Sequence, residues 1–256
     1  MATGARINIL GVGVHPLNLR SALAEIAGAI AARRKGYVTV TGVHGVMEAQ
    51  DDPGFRAILN GAFLTTPDGM PLVWLGRAQG FPETGRVYGP DLLLEVCRAS
   101  EEAGWRHFFY GGAPGAAQEL AAFLQARFPR LVVAGTHTPP FRPLSDAEFA
   151  ALQDEVGAAR PDIVWVGLST PKQERFMAGA LGRLDATLMF GIGAAFDLVS
   201  GRVRQAPRWI QRSGFEWLYR TFQEPRRLWR RYFRNNPRFV LAVLLQAAGL
   251  RRYPLD

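Results

Sequence analysis

The run Thr65-Thr66-Pro67-Asp68-Gly69-Met70 sets a carboxylate between Pro and Gly at the end of a β-rich apolar segment. A carboxylate in that position can take the proton from an attacking hydroxyl, as group transfer with inversion requires. On local spacing alone, Asp68 reads first as the cap of a helix starting near Gly69 and second as such a base. Three loops pair a strand end with a helix start in a way that suits phosphate: Tyr110-Gly111-Gly112-Ala113-Pro114-Gly115, Gly167-Leu168-Ser169-Thr170-Pro171-Lys172-Gln173-Glu174 and Phe190-Gly191-Ile192-Gly193-Ala194-Ala195-Phe196-Asp197. Backbone N–H groups at the start of each helix can face an anion, and the second loop adds the cation of Lys172 and the amide of Gln173. The glycines also fit plain tight-turn geometry. A P-loop is absent, and Gly11-Val12-Gly13-Val14-His15-Pro16 does not complete a dinucleotide fingerprint.

The four histidines are scattered, and no His-x-x-x-His, paired-Cys or Asp-x-Asp element occurs. Asp51-Asp52-Pro53 reads as a helix start. His44, just after the second predicted strand, either faces a ligand crevice or is a hydrogen-bonded structural histidine. The residues therefore point to a chemistry without a metal or other cofactor, in which fixed cations stabilise an anionic leaving group. The tail can supply them. From Arg202 onward, thirteen arginines stand against Glu216, Glu224 and Asp256, while residues 1–201 sum to −2 in a chain of net charge +8. Arginine's planar fork suits phosphate oxygens, and the spacing puts Arg220, Arg227, Arg231 and Arg234 on roughly one helical face. The apolar run Phe239–Leu245 that follows is too short to span a bilayer and, flanked by arginines, reads as an interfacial segment or as a core helix with a solvated basic face.

These residues need elements to position them. Strand-like runs are predicted over Ile7–Val12, Tyr37–Thr41, Ala62–Thr66, Arg106–Tyr110, Leu131–Ala134, Ile163–Gly167 and Thr187–Gly191. Helical stretches fall between them near 17–35, 43–60, 69–79, 89–103, 114–128, 145–159, 171–183 and 194–200, with Ser145 and Glu148 as a capping box. The alternation predicts an α/β fold, a mostly parallel sheet with helices on both faces. Ligands in such folds sit at the carboxyl ends of the strands. From Ala206 the pattern changes to three short helices, Phe215–Gln223, Pro225–Arg234 and Pro237–Ala248, stopped by Gly249. The expected division is a catalytic core over 1–205 and a basic helical appendage over 206–256. The single cysteine, Cys97, lies in an apolar run and reads as a buried thiol in a reducing compartment. With no signal peptide and no window of membrane-spanning length, the expectation is a cytosolic or peripherally attached protein.

In order along the chain, Thr39-Val40-Thr41, Pro67-Asp68-Gly69, Arg86-Val87-Tyr88-Gly89-Pro90-Asp91, Gly111-Gly112-Ala113-Pro114-Gly115, Pro171-Lys172-Gln173-Glu174, Gly191-Ile192-Gly193-Ala194-Ala195-Phe196-Asp197, Arg204-Gln205-Ala206-Pro207 and Glu216-Trp217-Leu218-Tyr219-Arg220 resemble the WecG/TagA/CpsF glycosyltransferases over nearly the whole chain. The resemblance implies a Rossmann-like core and an inverting, metal-independent transfer of N-acetylmannosamine or a related hexose. The donor it implies is a UDP-sugar, and the acceptor is a sugar on undecaprenyl diphosphate in cell-surface polysaccharide assembly. It makes Asp68 the base in place of the cap. Thr41, Arg86 and Gln173 align with positions lining the sugar and diphosphate pocket, and Arg220, Arg227 and Arg230 with tail arginines that close over the diphosphate. The appendage is linked to recruitment to the inner face of the cytoplasmic membrane.

Departures bear on the sugar. Thr41 stands where many members carry Asn, Thr138-Pro139-Pro140-Phe141 replaces a Gly-Tyr-Phe, and Leu168-Ser169-Thr170 replaces the common approach to Pro171. Glucose, glucuronic acid and other N-acetylhexosamines stay open. A basic tail with Trp209, Trp217 and Trp229 also raises nucleic-acid binding, but the patterned loops outside the tail argue against nucleic acid as partner. A catalytically silent membrane scaffold is a second rival, opposed by the retained Asp68 and arginines. Apolar surface in the appendage suits a partner subunit, a homo-oligomer included, as readily as a membrane.

Overall fold

A computed structural model describes residues 4–255, apart from the side chain of Arg227. The chain forms two compact units: one takes the chain up to Leu19, Val40–Tyr88 and the tail from Arg204, and the other takes Arg20–Thr39 and Gly89–Val203.

The first unit opens with a hairpin of β1 (Ile7–Ile9) and β2 (Val12–Val14), paired antiparallel with Ile7 opposite Val14. The expected single strand Ile7–Val12 is thus corrected. Leu10 (φ 53°) and Gly11 (φ 81°) both adopt left-handed backbone, so the chain reverses there, and the pair forms its own two-stranded sheet. Its apolar side chains are fully buried with Val46, Met47, Phe55, Leu59, Leu72, Phe239 and Tyr253.

The helix expected over 43–60 is two helices, α2 (Val43–Asp51) and α3 (Pro53–Asn60). Asp52 between them is extended, and its Oδ1 accepts the Phe55 N–H at 3.0 Å, so the predicted helix start at this spot is real but interrupts the longer helix. Then come β4 (Leu64–Pro67) and α4 (Met70–Ala78). The tail carries α10 (Arg208–Ser213), α11 (Glu216–Gln223) and α12 (Pro225–Ala247). Pro225 opens α12 as expected, but Pro237 lies inside it where a new helix was predicted. Proline removes one backbone donor and need not stop a helix whose flanking turns are anchored. Here Leu228, Asn235 and Phe239 are all buried on one side of α12. Gly249 (φ 70°) ends the run as predicted.

In chain order the other elements are α1 (Leu19–Ala31), β3 (Gly36–Thr41), α5 (Gly89–Ala103), β5 (Arg106–Gly111), α6 (Ala116–Arg127), β6 (Val132–His137), α7 (Asp146–Ala159), β7 (Ile163–Gly167), α8 (Lys172–Ala180), β8 (Leu188–Gly191) and α9 (Ala195–Val199). The main sheet has the order β4-β3-β8-β7-β5-β6, and β3–β8, β8–β7, β7–β5 and β5–β6 pair in parallel. With helices flanking this sheet, the chain is α/β and Rossmann-like, with a helical C-terminal tail. Ser145 and Glu148 form the predicted capping box at the start of α7. Cys97 is fully buried, and burial pushes its thiol pKa up.

Candidate active site

In the first unit, β3 and β4 end side by side, because the Asp68 N–H donates to the Thr41 carbonyl at 2.9 Å. Thr41 itself is buried. Asp68 follows Pro67, the last residue of β4, and stands just before Gly69, which occupies the cap position of α4. Its carboxylate is 32% exposed, with Oδ1 3.7 Å from Arg86 Nη2. The Arg86 guanidinium is held from several sides. Its Nε donates to the Asp68 carbonyl, Nη2 donates to Glu216 Oε2 at 2.5 Å and Nη1 reaches the Gln211 carbonyl at 3.5 Å. The group also lies 4.0 Å from the centre of the Tyr88 ring. Burial works against its charge, but the carboxylates of Asp68 and Glu216 outweigh that and hold its pKa above the ordinary value.

Around this triad lie Tyr88 and Tyr232, whose phenols are pushed up in pKa chiefly by burial. The Tyr88 hydroxyl and the Arg220 Nε are buried without a hydrogen-bond partner, and Arg220 Nη2 is 3.8 Å from Glu224. The tail arginines do not share one helical face as expected. Arg220 lies on α11, and the non-helical Glu224 separates it from those on α12. Arg230 is exposed beside the Trp229 ring, Arg234 and Arg238 pair with Asp51, and the Arg227 side chain lies outside the described residues. His44, on α2, contacts Asn235 of α12 at 3.2 Å and Glu48 at 3.5 Å.

The second unit gathers the phosphate-type loops. Gly111 (φ 115°) and Gly112 (φ 78°) end β5, and a Cβ on Gly111 would meet the Gly167 carbonyl at 2.8 Å. Glycine is therefore required for the ends of β5 and β7 to close together, and the Gly112 N–H donates to that carbonyl at 2.9 Å. Lys172 is exposed at the start of α8. Gln173 is buried against Gly191 and Gly193, its Nε2 donating to Glu174 Oε1 at 3.0 Å. Glu174 Oε1 also accepts from the Thr170 hydroxyl at 2.8 Å. Gln173 Oε1 and Glu174 Oε2 are buried without partners, and burial raises the Glu174 pKa. Asp197, on α9, is half-buried, and its carbonyl takes the Val203 N–H. At the start of α6, Arg202 and Glu119 form an exposed bidentate pair at 2.6 and 2.7 Å.

The structure thus brings Thr41, Asp68, Arg86 and Arg220 into one neighbourhood in the first unit, and sets Gln173 against the β8 loop in the second. Glu216 and Tyr88 were missed from sequence. Both stand inside motifs already conspicuous, at the head of Glu-Trp-Leu-Tyr-Arg and in Arg-Val-Tyr-Gly-Pro-Asp. Among the described residues, no three His, Cys, Asp or Glu side chains gather as a metal-ligand set, and no helix is long and apolar enough to cross a membrane.

The family model described as the glycosyl transferase WecG/TagA/CpsF family matches residues 7–253. A protein of Bacillus spizizenii named N-acetylglucosaminyldiphosphoundecaprenol N-acetyl-beta-D-mannosaminyltransferase is 32% identical over 197 residues, 77% of this chain and 74% of its own length. A protein of Bacillus subtilis strain 168 with the same name is 28% identical over 202 residues, 79% of this chain and 76% of its own.

Proposed function

The chain belongs to the WecG/TagA/CpsF family of glycosyl transferases, and from that premise we propose that it moves a hexose from a UDP-sugar to a sugar carried on undecaprenyl diphosphate. N-acetylmannosamine and an N-acetylglucosamine-bearing acceptor are the first substrates to try, by analogy with the two Bacillus proteins.

Asp68 takes the proton from the acceptor hydroxyl. The hydroxyl oxygen attacks the anomeric carbon from the face opposite UDP, the bond from that carbon to the diphosphate oxygen breaks, and UDP leaves with the electron pair. Configuration inverts in this single displacement. Arg220, Arg227 and Arg230 of the tail supply the positive charge for the departing diphosphate without a metal. Thr41 and His44 are the further substrate contacts in this reading. The basic, apolar-studded tail holds the protein at the cytoplasmic membrane surface, where the lipid-linked acceptor resides.

The observation that carries the reading is the placement of Asp68. A partly exposed carboxylate stands at the carboxyl end of a sheet strand, with a guanidinium 3.7 Å away. Asp68→Asn is expected to lower transfer by about 10³-fold or more while UDP binding persists. Chelator in the assay is expected to leave the wild-type rate unchanged. A wild-type rate in Asp68→Asn would remove the base assignment, and loss of rate on chelation would remove the metal-free mechanism.

A further inference from the structure

We infer that Glu216 is a positioning residue for the transfer, acting through Arg86 on the loop that carries Asp68. The inference rests on Asp68 being the base proposed above.

The backbone of Asp68 is fixed at both polar groups: its N–H is bonded to Thr41 at the end of β3, and its carbonyl accepts from Arg86 Nε. Arg86 is therefore half of what holds the base loop in place, and it needs an anchor of its own. A guanidinium is a planar fork of five donors. Here one edge meets Asp68, another meets Glu216 at 2.5 Å, a third donor reaches the Gln211 carbonyl, and one face covers Tyr88. The side chains of Arg86 and Glu216 are only 16% and 13% exposed, so the pair is shielded from water and stiff.

Glu216 is itself placed by the start of α11. As the first residue of that helix it sits where unpaired N–H groups favour a carboxylate. The turn before it is fixed by Gly214 (φ 81°), where a Cβ would meet the Trp74 ring at 2.7 Å.

Two carboxylates compete for Arg86, and the distances say which one wins. Glu216 holds the guanidinium at 2.5 Å while Asp68 stays 3.7 Å away. A carboxylate locked into a close bidentate arginine pair would have its lone pairs occupied. Glu216 therefore sets where the guanidinium stands relative to the Asp68 carboxylate. Without Glu216, Arg86 has lost its anchor and is free to close on Asp68. Both effects act on the chemical step and not on donor binding. The guanidinium that the resemblance sets at the diphosphate is also, on this geometry, a strut between the base loop and the tail.

The test is steady-state kinetics with a UDP-sugar donor and a lipid-diphosphate-linked sugar acceptor analogue, alongside UDP binding. Glu216→Ala is expected to lower kcat about 10- to 100-fold, the scale of a small misplacement of a reacting group, with donor KM within about twofold. Glu216→Gln keeps an acceptor for Nη2 and is expected to recover most of the loss. Glu216→Asp keeps the charge but falls short by one methylene, and is expected to lower kcat as well. In an Arg86→Ala background, Glu216→Ala should add nothing, since both act through one strut. Wild-type kcat in Glu216→Ala and Glu216→Asp, a raised donor KM with kcat intact, or fully additive losses would each overturn the inference. Asp68→Asn run in the same assay separates the two failures. If it transfers normally, the base reading falls; if it is dead while the Glu216 variants are normal, only the strut falls.

Discussion

Glu174 and His107 are buried titratable groups of the second unit, and their burial acts on stability in opposite directions. Glu174 gives one oxygen to the Thr170 hydroxyl and the Gln173 amide, and its other oxygen has no partner. Burial holds its pKa above the ordinary 4.5, so the folded state favours the neutral acid. The stability linked to it is present below the ordinary carboxylate range and is lost as pH rises through the raised value. Glu174→Gln keeps the shape without the charge. Its urea midpoint is expected to fall less than that of wild type between acidic and neutral pH, and parallel slopes for the two proteins would refute this. His107 runs the other way. Its Nδ1 accepts from Trp165 Nε1 at 2.9 Å and its Nε2 contacts Ser100 Oγ at 2.8 Å, so the ring is held neutral. Burial lowers its pKa to about 3. Stability linked to His107 is therefore present above the ordinary 6.5 and lost as pH falls toward that lowered value. NMR of the ring should find it uncharged at pH 5, and an imidazolium signal there would contradict the geometry.

At the level of elements, the parts that could be read from sequence were those with local causes. The βα alternation, the Ser145–Glu148 box and the Gly249 stop depend on residues within one or two turns, and the structure has them where the spacing puts them. The first hairpin was read as one strand because Leu10 carries no turn signal. Its left-handed backbone is held by distant groups: the Leu10 N–H donates to Gln246 Oε1, and the Asn8 carbonyl takes both Gln79 and Gln246 side-chain amides. The same holds at the candidate site. Asp68 and Arg86 were legible from their motifs, but the Arg86–Glu216 pair spans 130 residues of sequence, and no local pattern reports it. Pro237 failed as a boundary because the buried side of α12 runs on either side of it. An interior proline leaves the carbonyl four residues earlier without its helical donor. Pro237→Ala is thus expected to stabilise the fold by about 1–3 kcal/mol, read as a higher thermal midpoint. An unchanged or lower midpoint would mean that Pro237 contributes to seating α12. Ser145→Ala, which removes the side-chain cap of α7, should cost about 1 kcal/mol, read as a lower thermal midpoint.

Across the whole molecule the charge is lopsided, with a tail far more basic than the slightly acidic remainder of the chain. The structure shows what the tail does with it. Arg234 and Arg238 are tied to Asp51, whereas Arg226 and Arg230 are exposed. Leu228, Asn235 and Phe239 face inward, while Trp229, Phe233, Val240, Leu241 and Leu244 are exposed, the last two at 61% each. An exposed stripe of large apolar side chains flanked by arginines is what an anionic bilayer surface would bind, with the apolar groups entering the headgroup boundary and the cations meeting phosphates. Vesicles containing phosphatidylglycerol are accordingly expected to bind the protein, less so at high salt. Replacing Leu241 and Leu244 together by glutamate removes two apolar anchors and adds two repelling charges. Each leucine is worth about 1.5–3 kcal/mol when buried, so vesicle affinity should fall by more than about 100-fold, with UDP binding in free solution unchanged. Were the double variant to bind vesicles as well as wild type while salt still released both, charge alone would be holding the tail to the surface and the apolar stripe would not be entering the bilayer.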